Sequence, residues 1–369
     1  MIVKKIIGFS VAVLLCFCEC TSINAVQVSA KSAVLYDPLT GMILESKNPD
    51  ECLPMASTTK IMTALVALSI YDLDKEVTIL PGWTGAEGSS MYLKAGEKMK
   101  VSDLIYGLML MSGNDAAVAL SAMLTGNTDD FVTLMNRTAK ELGMTSSSFE
   151  NPNGLDGDNH YSTASDMALL AAAAMKNSVF REIVAKKSIQ AGGRYMTNHN
   201  RLLSLYSDAC GIKTGYTKKS GRCLVSAAER DGRELIAVTL SAPDDWNDHM
   251  SLYESAFSQL SSESLLRSGE VGSAYIASGT TSNCPLYVNE GFTIGVFPGE
   301  RERIKITICG PRIVYAPVYA GDKYGHIIVT LDGNQLFSTD VYYKNDIEQM
   351  VYAENEGFWS GLFDWIFRK

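Results

Sequence analysis

Positive charge is scarce in this sequence. Its 32 Lys and Arg face 41 Asp and Glu, giving a formal net charge of −9 and a pI near 5.1. The basic footprint of a nucleic-acid surface is therefore missing, and no nucleic-acid partner is expected. No C-x-x-C spacing occurs among the 8 cysteines, so a zinc site lacks its usual ligand pairs and no metal is expected. Long apolar runs are missing too: Ile6 to Leu15 is uncharged but too short to span a bilayer comfortably. Disorder is excluded by a composition that is 46% apolar and only 20% charged.

The N-terminus carries the compartment signal. Lys4 and Lys5 precede the apolar run, and small residues with cleavage points after Ala25 or Ala30 follow it. This layout predicts a secretory signal peptide over residues 1–25 and an exported protein. Cleavage removes Cys16, Cys18 and Cys20 and leaves Cys52, Cys210, Cys223, Cys284 and Cys309. Five is odd, so at least one thiol stays free or pairs between chains; Cys284 and Cys309 are candidates for a pair.

Hydrophobic patterning gives the organisation. Ala33–Tyr36 and Met42–Leu44 read as strands around the turn formers Pro38 and Gly41. Ser57 opens a helix that is apolar nearly all round through Leu68, as in a helix buried on every side. Further helices fit 101–110, 114–124, 128–142 and 164–176, with Ser102 and Thr163 as N-cap candidates. Three strands over 210–215, 222–227 and 235–240 follow, separated by polar turns. Strands at both ends of a helical stretch predict a mixed α/β (α+β) domain over 26–262, its antiparallel sheet covered by helices. After a Ser-rich boundary at 258–268, strand signals at 286–288, 304–308, 314–318 and 326–331 predict a small all-β domain over 266–350. In the tail, Phe358, Leu362, Trp365 and Ile366 share one helical face beside Arg368 and Lys369. An amphipathic helix over 356–369 lying in a membrane surface is the expected reading, with docking onto a domain as the plainer alternative.

Three short motifs carry chemistry. Ser57-Thr58-Thr59-Lys60, the sequence's single S-x-x-K, sets a hydroxyl and an amine one turn apart. Serine is a weak nucleophile without an adjacent base, and a lysine kept neutral by burial or a nearby cation can be that base. Ser112-Gly113-Asn114 offers a hydroxyl and an amide to one cleft; Ser22 and Ser46 begin similar triplets in poorer positions. Lys213-Thr214-Gly215 supplies a fixed charge, a hydroxyl and a residue without side chain where a substrate backbone can approach. Lys219-Ser220-Gly221 fits the same pattern but sits in a polar turn. His160 and Asp166 read as wall or cap residues, without the company of a triad.

In this order the motifs form the set shared by class A β-lactamases and penicillin-binding proteins. The chain resembles the low-molecular-weight penicillin-binding proteins, the serine-type D-alanyl-D-alanine carboxypeptidases. The resemblance extends through Pro54–Ala64, Met111–Ala117, Asn151–Leu155, His160–Ala164 and Gly211–Thr217, and covers nearly the whole chain. It implies a serine β-lactamase/transpeptidase-like fold without cofactor, and a peptidoglycan stem peptide as substrate. Ser57 would form an acyl-enzyme at the terminal D-Ala-D-Ala bond, with Lys60 as base, aided by Ser112 and Lys213. Asn114 and Thr214 would orient the substrate, while the backbone N–H groups of Ser57 and Tyr216 would hold the oxyanion. β-Lactams would acylate the same serine.

Two departures from the family pattern stand out. Relatives commonly place an arginine for the substrate carboxylate after the strand ending at Leu240, where this chain has Pro243-Asp244-Asp245-Trp246. Ser220-Gly221 also replaces the usual Ala-Gly. A class A-like β-lactamase is the alternative, but no E-x-x-L-N occurs between Asn114 and Lys213. A non-catalytic wall scaffold is the other alternative, disfavoured by the intact Ser57 and Lys60.

Overall fold

A computed structural model describes residues 27–351. The signal peptide expected over 1–25 and the amphipathic helix expected over 356–369 lie outside the described residues. Among the described residues, no helix is long and apolar enough to cross a membrane.

The first half begins with β1 (Ser32–Asp37) and β2 (Met42–Lys47), followed by a 3₁₀ turn (Ala56–Thr59) that runs into α1 (Lys60–Ile70). A small hairpin of β3 (Glu76–Thr78) and β4 (Lys98–Lys100) leads into α2 (Val101–Leu110), α3 (Asn114–Ala122) and α4 (Asp129–Glu141). Next come α5 (Ala164–Met175), α6 (Ser178–Ala185), the hairpin β5 (Ser188–Ala191) and β6 (Arg194–Thr197), and the short α7 (Leu202–Leu205). The long strands β7 (Ala209–Thr217), β8 (Gly221–Arg230) and β9 (Arg233–Leu240) precede α8 (Asp245–Phe257).

These strands form one antiparallel sheet in the order β2-β1-β9-β8-β7, so the first strand is inserted beside the last. Strand side chains alternate between faces, and here both faces are covered. Val34, Ile236 and Val238 join the core built by α1–α6, while Leu35, Leu235 and Ala237 pack with Leu252, Tyr253 and Phe257 around α8. That is why Leu235–Leu240 reads as an apolar run broken only by Thr239 rather than as an alternating one. α1 lies inside the first core, with Ile61, Met62, Ala64 and Ala67 fully buried.

Several local expectations need correction. Ser102 lies within α2; the N-cap is Lys100, and no side chain caps it. Val101 and Ser102 instead donate their N–H groups to the carbonyls of Lys75 and Leu73, so neighbouring backbone satisfies the helix start. Thr163 does cap α5, accepting from the Asp166 N–H. The Ser-rich stretch expected as a boundary is β10 (Ser261–Leu266), paired with β13 (Phe292–Val296). Its serines are mostly on the exposed side, while Leu265 and Leu266 enter the second core.

The β-rich half adds β11 (Gly269–Ala277), β12 (Asn283–Val288), β14 (Ile304–Cys309), β15 (Val314–Tyr315), β16 (Lys323–Leu331) and β17 (Asn334–Tyr343). Their six-stranded sheet has the order β14-β16-β17-β12-β11-β15. β15 stops at Tyr315, short of the expected Val318, because Pro317 has no N–H for a ladder. Cys284 and Cys309 are not joined; all five described cysteines are free. A buried ion cluster ties the halves together. Arg233 of β9 bonds Glu300 at 2.7 and 3.2 Å and Asp37 of β1 at 2.5 Å, and stacks over Phe297.

Candidate active site

The 3₁₀ turn explains why Ser57 and Lys60 meet, since side chains three apart eclipse in that geometry. Thr58 and Thr59 donate their hydroxyls back to the carbonyls of Met55 and Ala56, fixing the turn. Ala56, just before the serine, has φ +48°, a left-handed value that a residue with Cβ adopts only under constraint. The constraint is visible in Gly154 and Gly215. A Cβ on Gly154 would lie 2.1 Å from the Ala56 oxygen, and one on Gly215 would lie 3.0 Å from the Ser57 nitrogen. The chain must be bare at both positions for the serine turn to sit between the 151–155 loop and β7.

Lys60 is fully buried and its Nζ has three oxygen neighbours: Ser57 Oγ at 2.9 Å, Asn114 Oδ1 at 2.6 Å and the Asn153 carbonyl. Burial, and next the charge of Lys213, hold its pKa well below the ordinary lysine value. A neutral amine has two hydrogens and one lone pair. The two carbonyl oxygens can only accept, so they take both hydrogens. The lone pair is then left facing the Ser57 hydroxyl, the arrangement a general base needs.

Asn114 opens α3 and is held at both ends of its amide. Its Oδ1 faces Lys60 and its Nδ2 donates to the Glu87 carbonyl. In this state its amide orients the lysine, a task the sequence pattern did not suggest. Beside it, the Asp115 carboxylate accepts from Ser90 Oγ and the Met91 and Leu93 N–H groups, pinning that loop against the cleft. Ser112, buried and with φ +58°, lines the same cleft as Ser57.

Lys213 is buried on β7, donates to the Thr214 carbonyl at 2.9 Å, and has its pKa lowered by burial to about 7. Thr214, Gly215 and Tyr216 continue along the cleft wall. Thus Ser57, Lys60 and Asn114 are joined by hydrogen bonds, while Ser112, Thr214, Gly215 and Tyr216 share a cleft of about 350 Å³ with the serine. Lys213 lies behind them, close enough for its charge to act on Lys60.

His160 and Asp166 prove structural. The Glu150 N–H donates to His160 Nδ1, so Nε2 carries the proton and donates to Thr59 Oγ1. Asp166 accepts from the Ser146 N–H and Ser147 Oγ.

The motifs give no sign of Ser89, His199, Arg201, Arg222, Asp245 and Trp246, which also line the cleft. They come from loops and strand ends with no shared spacing. The one available signal was polar residues close to a motif-bearing strand, as with His199 and Arg201 just before β7. Arg222 is paired with Asp245 at 2.6 Å and stacks over Trp246 at 5.3 Å. His199 has its pKa lowered by partial burial and by Lys213.

Comparison with known proteins matches this geometry to a family. The model for D-alanyl-D-alanine carboxypeptidase matches residues 19–244, and that for the C-terminal domain of penicillin-binding protein 5 matches 261–349. The chain is 33% identical to D-alanyl-D-alanine carboxypeptidase DacF of Bacillus subtilis, over 87% of this chain and 86% of the relative. It is 30% identical to DacC of Escherichia coli, over 94% and 90% of the two chains. Among solved structures, penicillin-binding protein 5 of Haemophilus influenzae superposes with a TM-score of 0.63 at 28% identity, covering 88% of this chain and 99% of the other. The match over residues 19–244, with Ser57 and Lys60 in hydrogen-bonded contact inside it, leads to one conclusion: the chain belongs to the D-alanyl-D-alanine carboxypeptidase family of serine hydrolases.

Proposed function

We propose that Ser57 is the nucleophile that removes the terminal D-alanine from peptidoglycan stem peptides. The observation carrying this reading is the Lys60 amine, whose two obligate acceptors leave its lone pair for the serine. Ser57 Oγ attacks the carbonyl of the penultimate D-alanine while Lys60 takes the hydroxyl proton. The C–N bond then breaks, the departing D-alanine amine receives a proton, and an ester on Ser57 remains. Water hydrolyses that ester, releasing the shortened peptide and restoring the hydroxyl. The Ser57 and Tyr216 N–H groups serve the oxyanion, and the charge of Lys213 keeps Lys60 neutral. Thr214 and Asn114 orient the peptide. β-Lactams enter as covalent inhibitors by the same attack.

The β-lactamase alternative needs a carboxylate to activate the deacylating water. Among the described residues none is hydrogen-bonded to Ser57 or Lys60, and the exposed Glu150 bonds Asn159 instead. We further read residues 26–262 as the catalytic domain and 266–350 as a β domain of an exported protein. Residues 356–369 hold it at the outer face of the cytoplasmic membrane. The deciding experiment labels purified protein with fluorescent penicillin and assays D-alanine release from a pentapeptide. Both signals are expected in the native protein and neither in Ser57→Ala. Labelling of Ser57→Ala refutes the nucleophile, and rapid penicillin turnover without D-alanine release refutes the carboxypeptidase reading.

A further inference from the structure

A second groove, of about 550 Å³, is built on the same segments as the cleft. Ser89 and Ser112 line the cleft, while Met91, Tyr92 and Met111 line the groove, with Arg194 and Tyr195 of β6. Two tyrosines in it are largely uncovered, Tyr92 at 73% exposure and Tyr195 at 71%. Single aromatic residues scattered over a surface are ordinary. A pair in one groove, brought together from segments a hundred residues apart, asks for a ligand.

We propose that this groove binds the glycan strand to which the stem peptide is attached, with Tyr92 and Tyr195 offering ring faces to its sugars. The inference rests on the carboxypeptidase reading and names the part of the substrate that lies outside the cleft.

Both tyrosines are fixed without being covered. Tyr92 has φ +61°, a left-handed backbone in which a bulky residue is strained. Its N–H donates to Ser90 Oγ at 2.8 Å, and its carbonyl accepts from Arg194 Nη2 at 2.8 Å. The neighbouring Met91 and Leu93 N–H groups are pinned to the Asp115 carboxylate. On the hairpin, Tyr195 donates its hydroxyl to Ser188 Oγ at 3.0 Å. Strain maintained at an exposed aromatic residue beside a reactive cleft points to a use for the ring.

The walls select a ligand without strong charge. Arg194 is paired with Glu97 at 2.7 Å and also donates to the Met91 and Gly192 carbonyls. Among the charged side chains of the groove, only the exposed Lys94 has no partner among the described residues. What remains is ring and Met surface beside backbone polar groups. A pyranose suits such a wall, because its C–H face packs on an aromatic ring while its hydroxyl and acetamide groups hydrogen-bond at the edges. Five extended residues span ~17 Å at most, so a stem peptide with its end at Ser57 keeps its sugar near the cleft.

The test compares D-alanine release from a free pentapeptide and from the same pentapeptide carried on an amino-sugar disaccharide. The native protein should favour the sugar-bearing form about 10-fold in kcat/KM, the size expected of two ring contacts, and mainly through KM. Tyr92→Asn, a change that a left-handed backbone tolerates, and Tyr195→Ala should each lower that ratio; together they should nearly abolish it. Tyr92→Phe should keep it, since the ring face and not the hydroxyl makes the contact. No preference in the native protein overturns the proposal, as does a preference that survives the double variant or a loss shared equally by both substrates. A sugar-free, cross-linked peptide that gains the same advantage assigns the groove to peptide and also overturns it.

If the native protein releases no D-alanine, the carboxypeptidase reading fails, yet the groove is still tested by a neutral probe. The N-acetylglucosamine tetramer, followed by saturation-transfer NMR, should bind the native protein and Ser57→Ala alike and be lost in the double variant. No binding, or binding that the double variant keeps, overturns the assignment. Thermal melts identify a misfolded Tyr195→Ala, and Tyr92→Asn then carries the comparison.

Discussion

Two lysines in one buried site cannot both be charged without cost, and the charge of Lys213 bears on the state of Lys60. Lys60 is lowered first by burial and then by Lys213, while Lys213 is lowered by burial to about 7. The signs give a pH window. As pH falls through the lowered value of Lys60, its amine takes a proton, the lone pair facing Ser57 is lost, and acylation slows. As pH rises through about 7, Lys213 of the free enzyme loses its charge and with it the field that favours a neutral Lys60 and an incoming anion. The rate constant for penicillin acylation should therefore be bell-shaped in pH, with its alkaline limb near 7 in kcat/KM and higher in kcat, where a bound carboxylate stabilises the charge. Lys213→Met should remove the alkaline limb and move the acid limb upward. Absence of the alkaline limb near 7 would contradict the part given to Lys213.

At the level of elements, the Arg233 cluster is the joint that matters most. It gathers β1, β9 and the turn after β13 around one guanidinium that is 1% exposed, against the buried carboxylates of Asp37 and Glu300. Removing one partner from such a group leaves charge buried without compensation, a loss of about 3–5 kcal/mol. Arg233→Met should shift the urea midpoint accordingly. Adding Asp37→Asn and Glu300→Gln should recover much of the loss, because the stranded charges are then gone. Nothing in the sequence pointed to this joint, since residues 37, 233 and 300 share no spacing. The legible elements were those whose burial is periodic or continuous: α1, α5 and β7–β9 match their expected spans closely. β10 was hidden by its serines, which face solvent on a two-stranded ribbon. The α2 cap was misplaced because the backbone carbonyls of Leu73 and Lys75, just before β3, do the capping. The site followed the same rule. Ser57, Lys60, Ser112, Asn114 and Lys213 were readable because short local motifs carry them, whereas Arg201, Arg222 and Asp245 converge only through the fold.

At the scale of the whole molecule, the last described residues belong to the β half. The Met350 N–H donates to Ser278, and Ile347 bridges to Val318, so the last described residues are sewn into the β half, far along the chain from Ser57. Deleting residues 352–369 should therefore leave penicillin labelling intact while moving the protein from the membrane to the soluble fraction. Unchanged fractionation would refute the attachment role of the tail. The sheet has a consequence in time as well as in space. β1 is made first, yet its inner partner is β9, and Ser32 pairs with Leu240. Such distant pairing closes late in folding. A chain emerging N-terminus first thus carries Ser57 and Lys60 long before β7, β8 and β9 exist to wall them in. On the proposed mechanism the fold acts as its own safety catch: a half-made chain has the serine and lysine but neither Lys213 to keep the base neutral nor Gly215 against the serine turn.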